Sequence, residues 1–83
     1  MPRYYFDTDD GLLPVRDDTG REFAGVRAAR DLAQRALREM AQQQIPDGES
    51  RVFKISIRDK KAALLYVATL TLAGGWKISP PDA

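Results

Sequence analysis

The chain contains no cysteine and no histidine. Without cysteine, no disulfide can staple the fold and no thiolate can serve as nucleophile or metal ligand. Small secreted domains usually rely on such staples, so the expected location is a reducing compartment, the cytoplasm. Without histidine, Ser–His–Asp and Cys–His catalytic arrangements are impossible, and the common zinc sites lose both of their usual ligands. Long hydrophobic runs are missing too. The longest, Ala62 to Ala73, is interrupted by Thr69 and Thr71 and falls well short of the roughly 18–20 residues of a membrane helix, so no membrane is expected as a partner. Met1-Pro2-Arg3 leads straight into Tyr4 with no apolar stretch of a secretory signal, which points the same way. Charge of one sign is also scarce. A net charge of +1 excludes strong steering of the whole molecule toward nucleic acid or anionic lipid. The distribution is less even: residues 1–26 carry six acids and three arginines, and the remainder ten bases and six acids, so −3 faces +4.

What is present reads as one small folded domain spanning 1–83. At 83 residues, 43% hydrophobic and 30% charged, the chain can bury one thin core and no more. Arg3 to Asp9 alternates as a strand with Tyr4 and Phe6 on one face and Arg3, Tyr5 and Asp7 on the other. Asp10-Gly11 offers a hairpin turn, and Leu12 to Arg16 can return as a second strand, at an edge because Pro14 lacks an N–H. Asp17-Asp18-Thr19-Gly20 reads as a further turn and Arg21-Glu22-Phe23 as a short extended segment. From 26 to 42 the period changes to 3.6. Val26, Ala29, Leu32, Ala33, Ala36, Leu37 and Met40 fall on one helical face, and an i,i+4 chain Arg27–Asp31–Arg35–Glu39 lies on the other. Ala24-Gly25 supplies no side-chain N-cap; Pro46 and Asp47-Gly48 close the helix. Val52 to Arg58 and Ala63 to Leu72 form a second hairpin. With Asp59 to Ala62 as the turn, Ile57 meets Leu64, Ile55 meets Tyr66 and Phe53 meets Ala68, all on one face. Leu70 joins this core, Trp76 is expected to close its end, and residues from about 74 to 83 are expected to fray or fold back. The fold class is therefore α+β, in the order β-β-α-β-β, an antiparallel sheet with one amphipathic helix packed on one face.

Few residues invite chemistry. Asp7-Thr8-Asp9-Asp10-Gly11 suggests a calcium loop, but glycine arrives at the fifth place rather than the sixth, and Asp18 stands where a bidentate glutamate is required. Aspartate and glycine shape turns, and that is the expected role here. Gly74-Gly75 is followed by neither Lys-Ser/Thr nor a helix, so it is no phosphate loop. No catalytic, cofactor-binding or metal-ligating residue is expected.

The sheet face away from the helix is more informative. It should display Tyr5, Lys54, Ser56, Arg58, Leu65, Val67 and Thr69. A surface meant only for water would carry charges throughout, as Lys54 and Arg58 do. Leu65 and Val67 instead imply burial by a second copy or another protein, or a C-terminal segment with Trp76 and Ile78 folded back over them. Tyr5, Lys54, Arg58, Leu65 and Val67 are thus the candidate interaction surface of a non-catalytic, self-associating module. An alternative is a nucleic-acid-binding module, with Arg27, Arg30, Arg35 and Arg38 tracking phosphates along the helix; only weak, non-specific binding is expected of it. A small enzyme working through carboxylates has less to rest on.

Pro2-Arg3-Tyr4-Tyr5-Phe6, Asp10-Gly11, Asp18-Thr19-Gly20 ahead of Ala28-Ala29-Arg30, and Ile55-Ser56-Ile57-Arg58-Asp59 together resemble a family of short bacterial proteins that carry a domain of unknown function. The resemblance runs from Pro2 to about Leu72 and implies a compact α+β domain with no assigned activity. The chain departs from that pattern at Asp7, where such proteins often place histidine, and at Lys61-Ala62, where Asp-Gly commonly forms the last turn. In element order it is also similar to small antitoxin domains of HicB type, which implies a regulatory role only by analogy of fold.

Overall fold

A computed structural model describes residues 1–44 and 50–79. Pro46 and Asp47-Gly48, read above as closing the helix, and residues 80–83 of the segment expected to fray or fold back lie outside the described residues. The elements are β1 (Arg3–Asp9), β2 (Pro14–Val15), β3 (Arg21–Glu22), α1 (Val26–Gln43), β4 (Ser50–Asp59) and β5 (Leu64–Ala73). All pair antiparallel in the order β2-β1-β4-β5, with β3 also on β1. The α+β architecture holds, and the short segment before the helix is a true third strand.

Alternation makes the sheet and the 3.6 period makes the helix. Ala29, Ala33 and Leu37 are the buried stripe of α1, and the two alanines let the helix backbone settle on the sheet. Beneath them lie Tyr4, Phe53, Ile55 and Ile57, all buried. Phe23 extends this core sideways, its ring centroid 5.7 Å from that of Phe6 and 6.2 Å from that of Tyr4. At the other end Arg51 lies over the Phe53 ring, 5.2 Å from its centroid, and its Nε donates to the Asp10 carbonyl at 2.7 Å. Gly25 at the helix start offers no side-chain cap.

Several expectations need correction. Leu12 and Leu13 are not strand. The Asp10 carboxylate accepts both of their N–H groups, at 2.8 and 2.9 Å, which holds them in a turn and leaves β2 only two residues long. Val26 is exposed because it opens the helix ahead of the buried stripe. The i,i+4 ion-pair chain does not close: the described helix residues form one salt bridge, Arg30 to Asp31 at 3.2 Å. Trp76 does not close the core, being 58% exposed.

The largest correction is the register of the second hairpin. Ile57 pairs with Tyr66, Ile55 with Ala68 and Phe53 with Leu70, two residues beyond the expected partners. One residue of the shift arises at the turn, which occupies 60–63 rather than 59–62 because Asp59 organises it, and the other arises at the bulge described below. Its N–H donates to the Ala63 carbonyl at 3.0 Å, and its Oδ1 accepts from the Lys61 and Ala63 N–H groups at 2.9 Å. A shift of two preserves the faces, since side chains alternate with period two. It does not preserve Leu64. The register slips between Ile57 and Arg58, so Arg58 pairs with Leu64 and Leu65 is the extra residue of a β-bulge. Leu64 thereby leaves the core face and stands 65% exposed. Leu70, opposite buried Phe53, stays partly open at the sheet edge.

Candidate interaction surface

Cross-strand register assembles the face opposite α1 in rows. Tyr5 pairs with Arg58, Asp7 with Ser56, and Asp9 with Lys54. On the far side of β4, Arg58 pairs with Leu64, Ser56 with Val67, Lys54 with Thr69, and Val52 with Thr71. The face is therefore graded, from carboxylates on β1 through cations on β4 to uncharged side chains on β5.

The five sequence candidates do share this face, but they do not form one free surface. Arg58 is committed internally. Its Nε donates to Asp7 Oδ2 at 2.7 Å and its Nη2 to Asp7 Oδ1 at 3.2 Å, the two-pronged geometry of a strong ion pair. Nη2 also donates to the Asp17 carbonyl at 2.6 Å. The guanidinium lies over the Tyr5 ring, 4.9 Å from its centroid, and only 12% of the Arg58 side chain is exposed. Tyr5 is covered by the same contact. Lys54, Leu65 and Val67 remain exposed, and Leu64 joins them.

Asp17 explains why the Arg58 network sits where it does. Among the described residues, no strand pairs with the outer edge of β1 between β2 and β3, and the Phe6 N–H points into that gap. The Asp17 carboxylate fills it. Its Oδ2 accepts from Phe6 N–H at 3.0 Å, while Oδ1 accepts from Thr19 and Gly20 N–H at 3.0 and 3.1 Å. Its own N–H donates to Asp7 Oδ1 at 2.9 Å. Gly20 closes the loop with φ +73, where a Cβ would come within 3.0 Å of the Tyr4 carbonyl and 2.9 Å of the Tyr5 ring.

The electrostatics follow. The Arg58 hydrogen bond, then the Asp17 N–H, hold the Asp7 carboxyl below its ordinary range, against the opposing effect of burial. For Asp17 burial is the largest single influence and pushes upward, but the Phe6, Gly20 and Thr19 N–H groups with Arg58 outweigh it, and the carboxyl ends below its ordinary range. Carboxylates held ionised and hydrogen-bonded in this way are poor general acids at neutral pH. The acidic run suspected of holding calcium is divided among separate tasks. Asp7 serves Arg58, Asp9 Oδ1 accepts from Gly11 N–H at 2.8 Å, and Asp10 shapes the turn. Among the described residues no three such side chains gather as a metal site, and no helix is long and apolar enough to cross a membrane.

The sequence reading missed the free edge of β5. The Phe6 N–H points away from β4, and Phe6 lies opposite Ile57. Backbone groups of paired, non-bonded residues turn outward from each other, so Ile57 directs its N–H and C=O toward β5, where Tyr66 faces it. Ala68, Leu70 and Leu72 share that orientation by alternation. Val67, Thr69 and Thr71 therefore direct their N–H and C=O to the outside, where the sheet ends. The ten residues of β5 carry no charge and no proline. The signal was legible in that composition. Beside this edge, a cavity of about 340 Å³ is lined by Ala41, Gln42, Phe53, Leu70, Thr71 and Leu72.

Among known proteins, the family model described as "Domain of unknown function (DUF6894)" matches residues 3–71. No curated protein and no solved structure matches the chain.

Proposed function

The chain belongs to the DUF6894 family, a domain of unknown function, and from the geometry we propose that it is a non-catalytic protein-interaction module docking through the β4–β5 hairpin. The observation that carries this reading is β5 itself, whose Leu64, Leu65, Val67, Leu70 and Leu72 are all at least 40% exposed. Apolar side chains gathered on one element mark a binding surface more often than scattered ones do. The Trp76 segment leaves Leu65 and Val67 each 43% open. Arg58 and Tyr5 brace the hairpin against β1 and do not themselves contact the partner.

The nucleic-acid alternative draws on Arg27, Arg30, Arg35 and Arg38, all exposed on α1. It is the weaker reading because Asp31 and Glu39 interrupt that face and Arg58 is already paired. A double variant, Leu65→Glu with Val67→Lys, tests the module. Its thermal melt should stay within a few degrees of wild type, as expected for side chains that lie on a docking surface and not in the core. Unfolding of the variant would mean that these side chains belong to the core of the fold, and the reading would fail.

A further inference from the structure

The two edges of the sheet are treated differently. The β1 side ends in two-residue strands, one carrying Pro14 and the other Arg21 and Glu22. Short strands, proline and charge are the usual devices that stop sheets from adding further strands. The β5 side has none of them. It is ten residues long and uncharged, and among the described residues no strand pairs with the outward N–H and C=O groups of Val67, Thr69 and Thr71.

Resting on the interaction-module reading above, we propose that the occupant of this edge is a second copy of the same chain, its β5 antiparallel to the first about a two-fold axis at Thr69. In an antiparallel self-pairing, residues i and j meet when their sum is constant, and paired side chains must share a face. Ala73 faces outward by the same alternation; a register centred on Thr69 pairs Val67, Thr69 and Thr71 of both strands and sets Ala73 opposite the Leu65 bulge of the other copy. Thr69 exchanges both backbone bonds with its counterpart, and Val67 does so with Thr71 of the other copy. The outward N–H groups of Val67, Thr69 and Thr71 each then find a C=O.

The side chains agree with this register. On the open face it sets Val67 against Thr71 and Thr69 against Thr69, pairs that suit neighbouring strands. On the helix face it sets Ala68 against Leu70 and Tyr66 against Leu72, so each Tyr66 ring arrives beside the Leu72 end of the other copy's apolar cavity. With no charge on β5, the pairing brings no like charges together along its length. An isologous contact of this kind closes on itself as a dimer and leaves the blunted β1 edges outermost.

Multi-angle light scattering on the full chain, at concentrations up to roughly 1 mM, where even a millimolar Kd half-fills the interface, tests the proposal. The expected result is a mass rising toward twice the 9.3 kDa monomer. Thr69→Pro removes an outward N–H without touching the β4–β5 ladder and should return the mass to monomer; Thr69→Val keeps the N–H and should remain dimeric. Amide hydrogen exchange on wild type covers the case in which Thr69→Pro fails to fold. Val67, Thr69 and Thr71 should gain protection as concentration rises. A wild type that stays monomeric, or a dimer in which those three amides remain open, overturns the proposal. These failures are distinct from that of the module reading: a folded Leu65→Glu, Val67→Lys variant beside a monomeric wild type removes only the second copy, whereas an unfolded variant removes the docking surface.

Discussion

Replacing Asp17 with alanine should destabilise the fold far more than its place in a surface turn suggests. The Asp17 carboxylate accepts from Phe6, Thr19 and Gly20 N–H groups, and the first of these would otherwise sit in a gap in the sheet. A hydrogen bond to a charged acceptor contributes about 1.5–3 kcal/mol, and the Phe6 bond, partly buried, should lie near 1.5–2. The Gly20 bond, also partly buried but longer at 3.1 Å, and the exposed Thr19 bond add about 1 and 0.5 kcal/mol, for a total near 3 kcal/mol. A domain this small has roughly 5 kcal/mol or a little more to lose. Urea denaturation followed by circular dichroism reads the effect directly. With a slope near 1 kcal/mol per molar, the midpoint should fall by about 3 M with the slope unchanged. Asp17→Asn, which retains one acceptor oxygen, should lose about half as much. Asp18→Ala removes the neighbouring exposed charge and should stay within about 0.5 kcal/mol of wild type. If Asp17→Ala also stays within about 0.5 kcal/mol, water satisfies the Phe6 N–H equally well and the carboxylate does not stand in for a strand.

Two further outcomes follow from the same geometry. Ala62 holds φ +67 in the last turn, a conformation that costs an L-residue about 1–2 kcal/mol. Ala62→Gly recovers that, less the extra freedom glycine has when unfolded, so the chain should gain about 0.5–1 kcal/mol and melt several degrees higher; an unchanged or lower melting temperature would count against strain at this turn. Acid should weaken the fold in a defined window. Asp7 and Asp17 are held below the ordinary value of 3.8 when folded, so in that range the unfolded chain binds more protons. The stabilisation is fully present above the unfolded value and is lost as pH falls through the lower, folded values. Melts taken from pH 6 down to pH 2 should show a steep decline below about pH 4, shallower in a chain carrying Asp7→Asn and Asp17→Asn, where Asp10 still contributes.

Local patterning was enough to determine most of the fold. The 3.6-residue period of Val26 to Gln43 and the alternation of Phe53, Ile55 and Ile57 each point to one element and one buried face, because side-chain direction follows from backbone geometry alone. The opposite face, with Tyr5, Lys54, Leu65 and Val67 together, was legible for the same reason. Where the hairpin closes was not. Registers two residues apart present the same faces, and the choice fell to the Asp59 carboxylate and the left-handed Ala62, which the alternation does not encode. That choice created the bulge at Leu65 and moved Leu64 out of the core. The fate of Arg58 was equally hidden. Its partners, Asp7 and Asp17, lie 51 and 41 residues away, so a cation that alternation assigns to solvent becomes an internal brace once β1 lies beside β4. The bare edge of β5 was visible as ten residues without charge; that it is an edge at all depends on strand order, which only the tertiary fold decides.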